Sequence, residues 1–521
     1  MAERISPQFV NEKKEIWEGR RAEILFIAIM VVLYFVLRLP FLTTLPLMKD
    51  EVLYSLMVEE QISHPTIAPT LFGYDMPWKP PVFFWVYGAM IGLLKEVGLA
   101  GGMPIEAIYR YPSLLFGAIN LLLVYFLMKK MIGNTAILFL STFVYNVILL
   151  NIYLSNTALI DTLTLTFVYG AILCYLHSNR SKWLYLAAWI LVVLAFITKL
   201  FLALVAPAVA VAYFLFADKK RLLDWKFLAS LTAPIVGALL FYLIFSDASI
   251  QSGVYGSDIF GKIGETLTYA QRLGQSFYTL FMTTNVWFAM GIFGAVKYWK
   301  TNRAMAIWLL FIIFPLLAAP LMPWHFAMIL PPLAYFSACV FAYDKTRVKI
   351  DTFTIMIILA MFMVSLVFIT SFYWGYAETY SYEKQAGDLL VFKSNVLVIG
   401  EYAPTIIAEK ALTEQKLNGK YDDFGWIFLI KNDNETENNS AVVERLIKDY
   451  WADPKTGLKI YNGDFSRMFW GEGIFRKNTG IEKFDYVVVT GTEYANVLVN
   501  GTQIYNRANI AIYALDSVPN R

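Results

Sequence analysis

Eleven apolar stretches recur along this chain, with basic clusters in every second gap between them, and no soluble fold accommodates that pattern. A hydrocarbon core about 30 Å thick demands roughly 20 apolar residues per crossing helix, and each crossing segment must satisfy its own backbone polar groups. The pattern predicts spans near 22–41, 111–128, 133–152, 158–177, 183–199, 200–217, 226–245, 275–296, 304–321, 324–342 and 353–374. Lys13, Lys14, Arg20 and Arg21 precede the first span, and Lys129 and Lys130 follow the second. Arg180 and Lys182, then Lys219 to Arg221, Lys297 to Arg303 and Lys345 to Lys349 fall in every second loop thereafter. The positive-inside rule makes those loops cytoplasmic, which puts the N-terminus inside and, for an odd number of spans, the C-terminus outside. Almost no turn separates 183–199 from 200–217, so the count is fixed only to within two.

Composition agrees. Of 521 residues, 58% are hydrophobic and only 16% charged, which places the chain among integral membrane proteins. A net charge of +3 conveys little, because the charges are segregated along the sequence, and no nucleic-acid partner is expected. Cys174 and Cys339 both lie in apolar runs, so neither a disulfide framework nor a cysteine metal site is indicated. His64, His177 and His325 lack any paired spacing, which argues against a histidine zinc site. Residues 1–21 are polar and lack a signal-peptide cleavage pattern. They are expected to form a cytoplasmic segment ahead of a membrane domain at 22–375.

Within the first outer loop, about 42–110, the run Val82–Leu94 is apolar but short, and reads as an interfacial or re-entrant helix. A second outer loop, about 246–274, is rich in Gly and Ser, and reads equally as a lid or as an unstructured connector. After Trp374 the composition turns polar. Strand-like runs at Asn395–Ile399, Trp426–Ile430, Tyr486–Thr490 and Ile510–Leu515, with helix-like runs at Thr405–Leu417 and Ala441–Tyr450, predict an extracytoplasmic α/β domain over 376–521. The expected fold class is therefore mostly α: a polytopic helical bundle of about eleven crossings, with interfacial helices in the first outer loop and a C-terminal soluble α/β domain.

The outer loops hold few charges, which singles those few out. Asp50 and Glu51 lie about ten residues beyond the first span, where a carboxylate held against an acceptor hydroxyl can act as a general base. The bland reading is an acid pair opening the helix DEVLYSLMVEEQI, and the two roles are compatible. Asp161, near the outer end of the fourth span, is an intramembrane carboxylate and so either functional or hydrogen-bonded to Ser155, Asn156 or Thr157. Lys79 projects ahead of Pro80 and Pro81, and Lys199 falls at the outer end of the fifth span, against the positive-inside bias. Either lysine alone could simply be snorkelling, whereas two on one side suit a lipid phosphate. Arg38, Arg110 and His325 share that side as weaker candidates.

These motifs also occur in a telling order. RLPFL…DEVLY, WKPPVFFWVYGAMIGLL, YRYPSLLFGAINLLLVYFLMKKMIG, ALIDTLTL, FITKLFLALVAPAV and PWHFAMILPPLAYF together resemble the membrane glycosyltransferases of GT-C fold. Within that fold they are most similar to the protein O-mannosyltransferase and lipid A aminoarabinose transferase group. The resemblance implies transfer of a sugar, with inversion, from a polyprenyl-phosphate carrier (dolichyl or undecaprenyl) to a lipid, glycan or protein acceptor at the outer face of the plasma membrane. It implies that Asp50 is the catalytic aspartate, with Glu51 its acidic neighbour and Asp161 the second acidic position. It implies that Lys79 and Lys199 contact the carrier phosphate, and Arg38 and Tyr54 are placed with them. Three departures argue against aminoarabinose transfer specifically: Leu53 stands where an arginine is usual, Trp78 where an acid is usual, and Met328 where an aromatic is common. No nucleotide fingerprint occurs. A divalent cation on Asp50, Glu51 or Asp161 stays open, without spacing to support it. The alternative from another class is a secondary transporter or lipid flippase that uses Asp161 and Lys199 as coupling charges. The absence of an internal repeat and the clustering of charge at one interface weigh against it.

Overall fold

The computed structural model describes the backbone of residues 7–71, 74–75, 79–244, 269–311, 323–342, 352–393, 396–399, 403–418, 426–430, 460–462, 473–476, 485–490, 501–507 and 509–515. Helix α1 (Pro7–Val36) is followed by α2 (Lys49–Ser63) and α3 (Val82–Glu96) in the connection to the next long helix, then α4 (Ile105–Met131), α5 (Thr135–Val147), α6 (Leu149–Ser155), α7 (Ile160–His177), α8 (Trp183–Phe196) and α9 (Val205–Ala217). Among the described residues, five helices are long and apolar enough to cross a membrane, six if α5 and α6 count as one bent span, and further apolar helices are shorter. The chain is an integral membrane protein.

Local chemistry explains the boundaries. Glu51, at the third position of α2, reaches back with Oε2 to accept from the Met48 amide at 2.9 Å, half of a capping box. Pro80 and Pro81 open α3, where a missing N–H costs nothing. That helix closes at Gly98, whose φ of +76° allows the Leu99 amide to reach the Leu94 carbonyl at 3.1 Å. Asn134 caps α5 by accepting from the Ala136 and Ile137 amides at 2.9 and 3.1 Å.

Two predicted spans are broken. The span expected at 133–152 bends by 58° at Ile148, and the Asn151 side chain donates to the Tyr145 carbonyl at 2.9 Å, satisfying a group the break releases. The span expected at 275–296 is two helices, Tyr269–Thr284 and Val286–Tyr298, divided at Asn285 with φ of 48°. The preceding Thr284 turns its hydroxyl onto the Leu280 carbonyl at 2.5 Å, a bond that loosens a helix. Asn tolerates the left-handed backbone that follows. The expected lid at 246–274 lies largely outside the described residues, as do the helix expected at 441–450 and most of 312–322.

Beyond the long helix Thr352–Leu389, the polar region forms a sheet of order β5-β6-β4-β3-β7-β9-β8. Its strands are β3 (Val396–Ile399), β4 (Trp426–Ile430), β5 (Ile460–Asn462), β6 (Gly473–Arg476), β7 (Tyr486–Thr490), β8 (Gly501–Arg507) and β9 (Ile510–Leu515). β3 runs parallel to both β4 and β7, and β9 pairs antiparallel with β7 and β8. All four predicted strands are present. β5, β6 and β8 were not foreseen, nor was the hairpin of β1 (Thr70–Leu71) and β2 (Tyr74–Asp75). Helix Ala403–Asn418 follows β3 and packs on α2 and on the end of Thr352–Leu389.

Helices in lipid associate by close packing of small residues. Gly291 and Gly294 set Val286–Tyr298 against Leu330–Ala342 so tightly that a Cβ on Gly294 would meet the Phe336 carbonyl carbon at 2.7 Å. Gly294→Ala is expected to destabilise the detergent-solubilised protein by about 1–3 kcal/mol, the cost of overpacking. Unfolding followed by intrinsic fluorescence checks this, and an unchanged midpoint contradicts the packing.

Candidate active site

Two adjacent carboxylates at the start of α2 meet different surroundings. Glu51 is wholly buried against Arg110 of α4, with both side chains at 0% exposure. Arg110 Nε donates to Glu51 Oε1 at 2.9 Å and Nη2 to Oε2 at 2.7 Å. The Met48 amide reaches Oε2 at 2.9 Å and the Ala158 amide, just ahead of α7, reaches Oε1 at 2.7 Å. Four donors occupy the four lone-pair positions of a carboxylate. Glu51, expected among the catalytic acids, therefore has no lone pair left with which to take a proton.

Arg110 is equally saturated. Besides Glu51 it donates to the carbonyls of Leu42, Leu45 and Pro46 at 3.0, 2.7 and 2.9 Å, so all five of its N–H groups are used. It grips the loop that delivers Asp50 and has no donor to offer a phosphate. Arg38, expected at the carrier phosphate, is also fully buried. It donates to the Tyr34 carbonyl and to the side chain and carbonyl of Asn146 at 3.2, 3.1 and 3.0 Å, with its guanidinium over the Tyr34 ring. Both arginines hold helices together. His325 lies in the turn Pro323–Ile329, and its side chain is outside the described residues.

Asp50 is half-buried, and among the described residues no group donates a hydrogen bond to it. One turn further along α2, the buried Tyr54 hydroxyl accepts from Lys79 Nζ at 2.8 Å. Burial pushes the Tyr54 phenol above its ordinary value, Lys79 draws it back and Asp50 pushes it up again. It therefore stays protonated near neutral pH, and can donate outward while it steadies the lysine. Asp161, in the first turn of α7, accepts from Lys199 Nζ at 2.5 Å. Lys199 stands just beyond α8, where a short 3-10 turn begins. Asp50 and Asp161 both act electrostatically on Tyr54, and on each other. Asp50, Tyr54, Lys79, Asp161 and Lys199 thus form one constellation, assembled from the ends of α2, α3, α7 and α8.

Among the described residues, no group of three or more His, Cys, Asp or Glu side chains is arranged to hold a metal ion. The groups present suit a different task. A half-open carboxylate near two lysines, each steadied by a neighbour, can accept a proton at one point and balance an anion at another.

Comparison with known proteins agrees with the fold. Residues 78–249, about a third of the chain, match the family described as dolichyl-phosphate-mannose-protein mannosyltransferase. The structure is similar to that of ArnT from Cupriavidus metallidurans bound to undecaprenyl phosphate, with a TM-score of 0.55 at 13% identity, over 94% of this chain and 97% of that one. The same protein in the apo state matches with a TM-score of 0.53 at 13% identity, over 95% and 98%. No curated protein sequence matches the chain. The GT-C architecture expected from the ordered motifs is the architecture observed.

Glu51→Gln keeps the shape of the clamp but leaves Arg110 buried without a counter-charge, and is expected to destabilise the protein by about 3–5 kcal/mol. Asp50→Asn, at a half-open helix start, should change stability by about 1 kcal/mol or less. Parallel denaturation of the two variants in detergent separates the roles, and equal losses would overturn the division.

Proposed function

We propose that this GT-C-fold protein, of the membrane glycosyltransferase group, moves a sugar from a polyprenyl-phosphate carrier to an acceptor hydroxyl, with inversion at the anomeric carbon. The observation that carries the reading is the gathering of Asp50 with the Lys79–Tyr54 and Lys199–Asp161 pairs. The complex of a structurally similar protein with undecaprenyl phosphate supports a carrier of that class. The segregation of basic loops supports a cytoplasmic N-terminus, with the site and the C-terminal α/β region at the outer face.

In this mechanism Asp50 accepts the proton of the acceptor hydroxyl as that oxygen attacks the anomeric carbon. The bond from that carbon to the carrier phosphate breaks on the opposite side. The donor is a phosphodiester with one negative charge, and the departing carrier is a phosphomonoester that gains another. That extra charge appears only as the bond breaks, so cations aimed at it favour the transition state over the bound donor. Lys79 and Lys199 supply them. Without donor, Asp161 holds Lys199 and the Tyr54 hydroxyl holds Lys79, so neither ammonium has to reorganise far. Counted as ionised groups, two lysines balance two aspartates before the donor arrives, and a phosphate competes with Asp161 for Lys199. Asp161 is thus a positioning acid, and Asp50 the base. Phosphate departs readily without a proton near neutral pH, and no general acid is needed.

Transfer from a radiolabelled polyprenyl-phosphate sugar by the purified protein tests this. Asp50→Asn should lower turnover by about 10²–10⁴-fold, the usual contribution of a general base, and equal turnover removes Asp50 from the mechanism. Lys199→Ala should weaken the apparent affinity for the carrier while leaving the protein folded, and an unaltered affinity counts against its phosphate role. Movement of the labelled lipid across vesicles without transfer would install the transporter reading instead.

A further inference from the structure

The far end of α2 meets helix Ala403–Asn418 in a second, separate set of charges. Glu409 lies on that helix at 2% exposure, and among the described residues it makes no hydrogen bond or ion pair. Burying an ionised carboxylate without a partner is costly enough that such a group normally takes up a proton. Its neighbours do not neutralise it. From the end of helix Thr352–Leu389 it faces Glu383, Lys384 and Asp388, and from α4 it faces Glu106 and Tyr109.

The cations in this interface are already engaged. Lys384 is ion-paired with Glu106. Lys95 of α3 pairs with Glu59 of α2 at 2.5 Å, and that carboxylate also accepts from the Tyr109 hydroxyl at 2.6 Å. Lys410 pairs with Glu414, four residues along the same helix. The carboxylates therefore outnumber the lysines. The backbones are also close, since a Cβ on Gly387 would lie 2.8 Å from Glu409 Cβ, so little room remains for water to solvate a charge.

We propose that the seating of helix Ala403–Asn418 on α2, α4 and the end of Thr352–Leu389 is a proton-operated latch, closed when Glu409 carries a proton and released when it ionises. The latch would grip the helix whose first turn bears Asp50, so that outer pH is felt at the base of the candidate site.

Burial pushes the Glu409 carboxyl up, Lys384 draws it down, and Glu106, Asp388 and Glu383 push it up again, to about 8. Burial also raises Asp388, which adds in the same direction. Lys384 stays charged, because its contact with Glu106 outweighs its own burial. The seated value lies above the ordinary 4.5, so the contribution is complete below that pH. It is lost progressively as pH rises, until it is spent near 8. A single proton linked in this way changes the seating equilibrium by about tenfold per pH unit within the window.

Hydrogen exchange of the amides of 403–418, in the full-length protein in nanodiscs, reads the latch without reference to any enzyme activity. Rates are taken at pH 5.5, 6.5, 7.5 and 8.5 and divided by the intrinsic rate at each pH. Protection should fall by about tenfold per unit up to pH 7.5 and then level off. Glu409→Gln imitates the protonated form and should remain protected throughout, and Asp388→Asn, which removes a charge that pushes Glu409 up, should make the fall level off at lower pH. Wild-type protection that does not vary with pH overturns the proposal. So does a Glu409→Gln profile that falls in step with the wild type.

Discussion

A buried ion pair between residues 59 positions apart holds one end of this bundle together. Arg110 and Glu51 satisfy one another and nearly everything around them: three loop carbonyls at Leu42, Leu45 and Pro46, the amide that opens α2, and the amide just ahead of α7. Two charges taken out of water are tolerable only when every remaining lone pair and proton finds a partner, and here they all do. The result fixes the exit from α1, the start of α2 and the start of α7 relative to α4. Tyr373, from the last long helix, adds to this knot by stacking on Phe41, and its hydroxyl accepts from Asn156.

That knot explains how two neighbouring carboxylates come to differ. Successive residues in a helix point about 100° apart, so a geometry that drives Glu51 into the core leaves Asp50 near the boundary. The helix-capping role read from this dipeptide thus falls to Glu51, and the chemical role is the one proposed for Asp50. One carboxylate is consumed by structure, and the other is presented by it.

The remaining members of the constellation are also placed by helix ends. Asp161 begins α7, Lys79 precedes α3 and Lys199 follows α8. Ends are where side chains and amides can converge on an outside group without opening a gap in the bundle. The Asp161–Lys199 pair also gives an exposed-side lysine a partner in an apolar setting, which an isolated ammonium there would lack. Seen along α2, the proposed chemistry lies at its first turn, while its other end is buried in a second charge cluster shared with α3, α4 and helix Ala403–Asn418.

By itself the sequence determined what depends on local pattern. Apolar length established a membrane protein and about half of the expected crossings; Pro80, Pro81 and the short run behind them marked α3; the polar shift after Trp374 announced strands; and the ordered motifs pointed to the GT-C fold. Tertiary structure alone decided which charge meets which. Arg110 could be read as a phosphate ligand because nothing within a turn of it shows that Glu51 will take up its guanidinium. The rule that an intramembrane arginine needs a buried partner called for a carboxylate without saying which. Asn285 and Ile148 sit inside apolar runs that read as continuous spans, and only the folded chain shows the breaks there. Pairings such as Arg110–Glu51 and Lys199–Asp161 depend on helix packing across many residues, and that is a property of the assembled bundle rather than of any one segment.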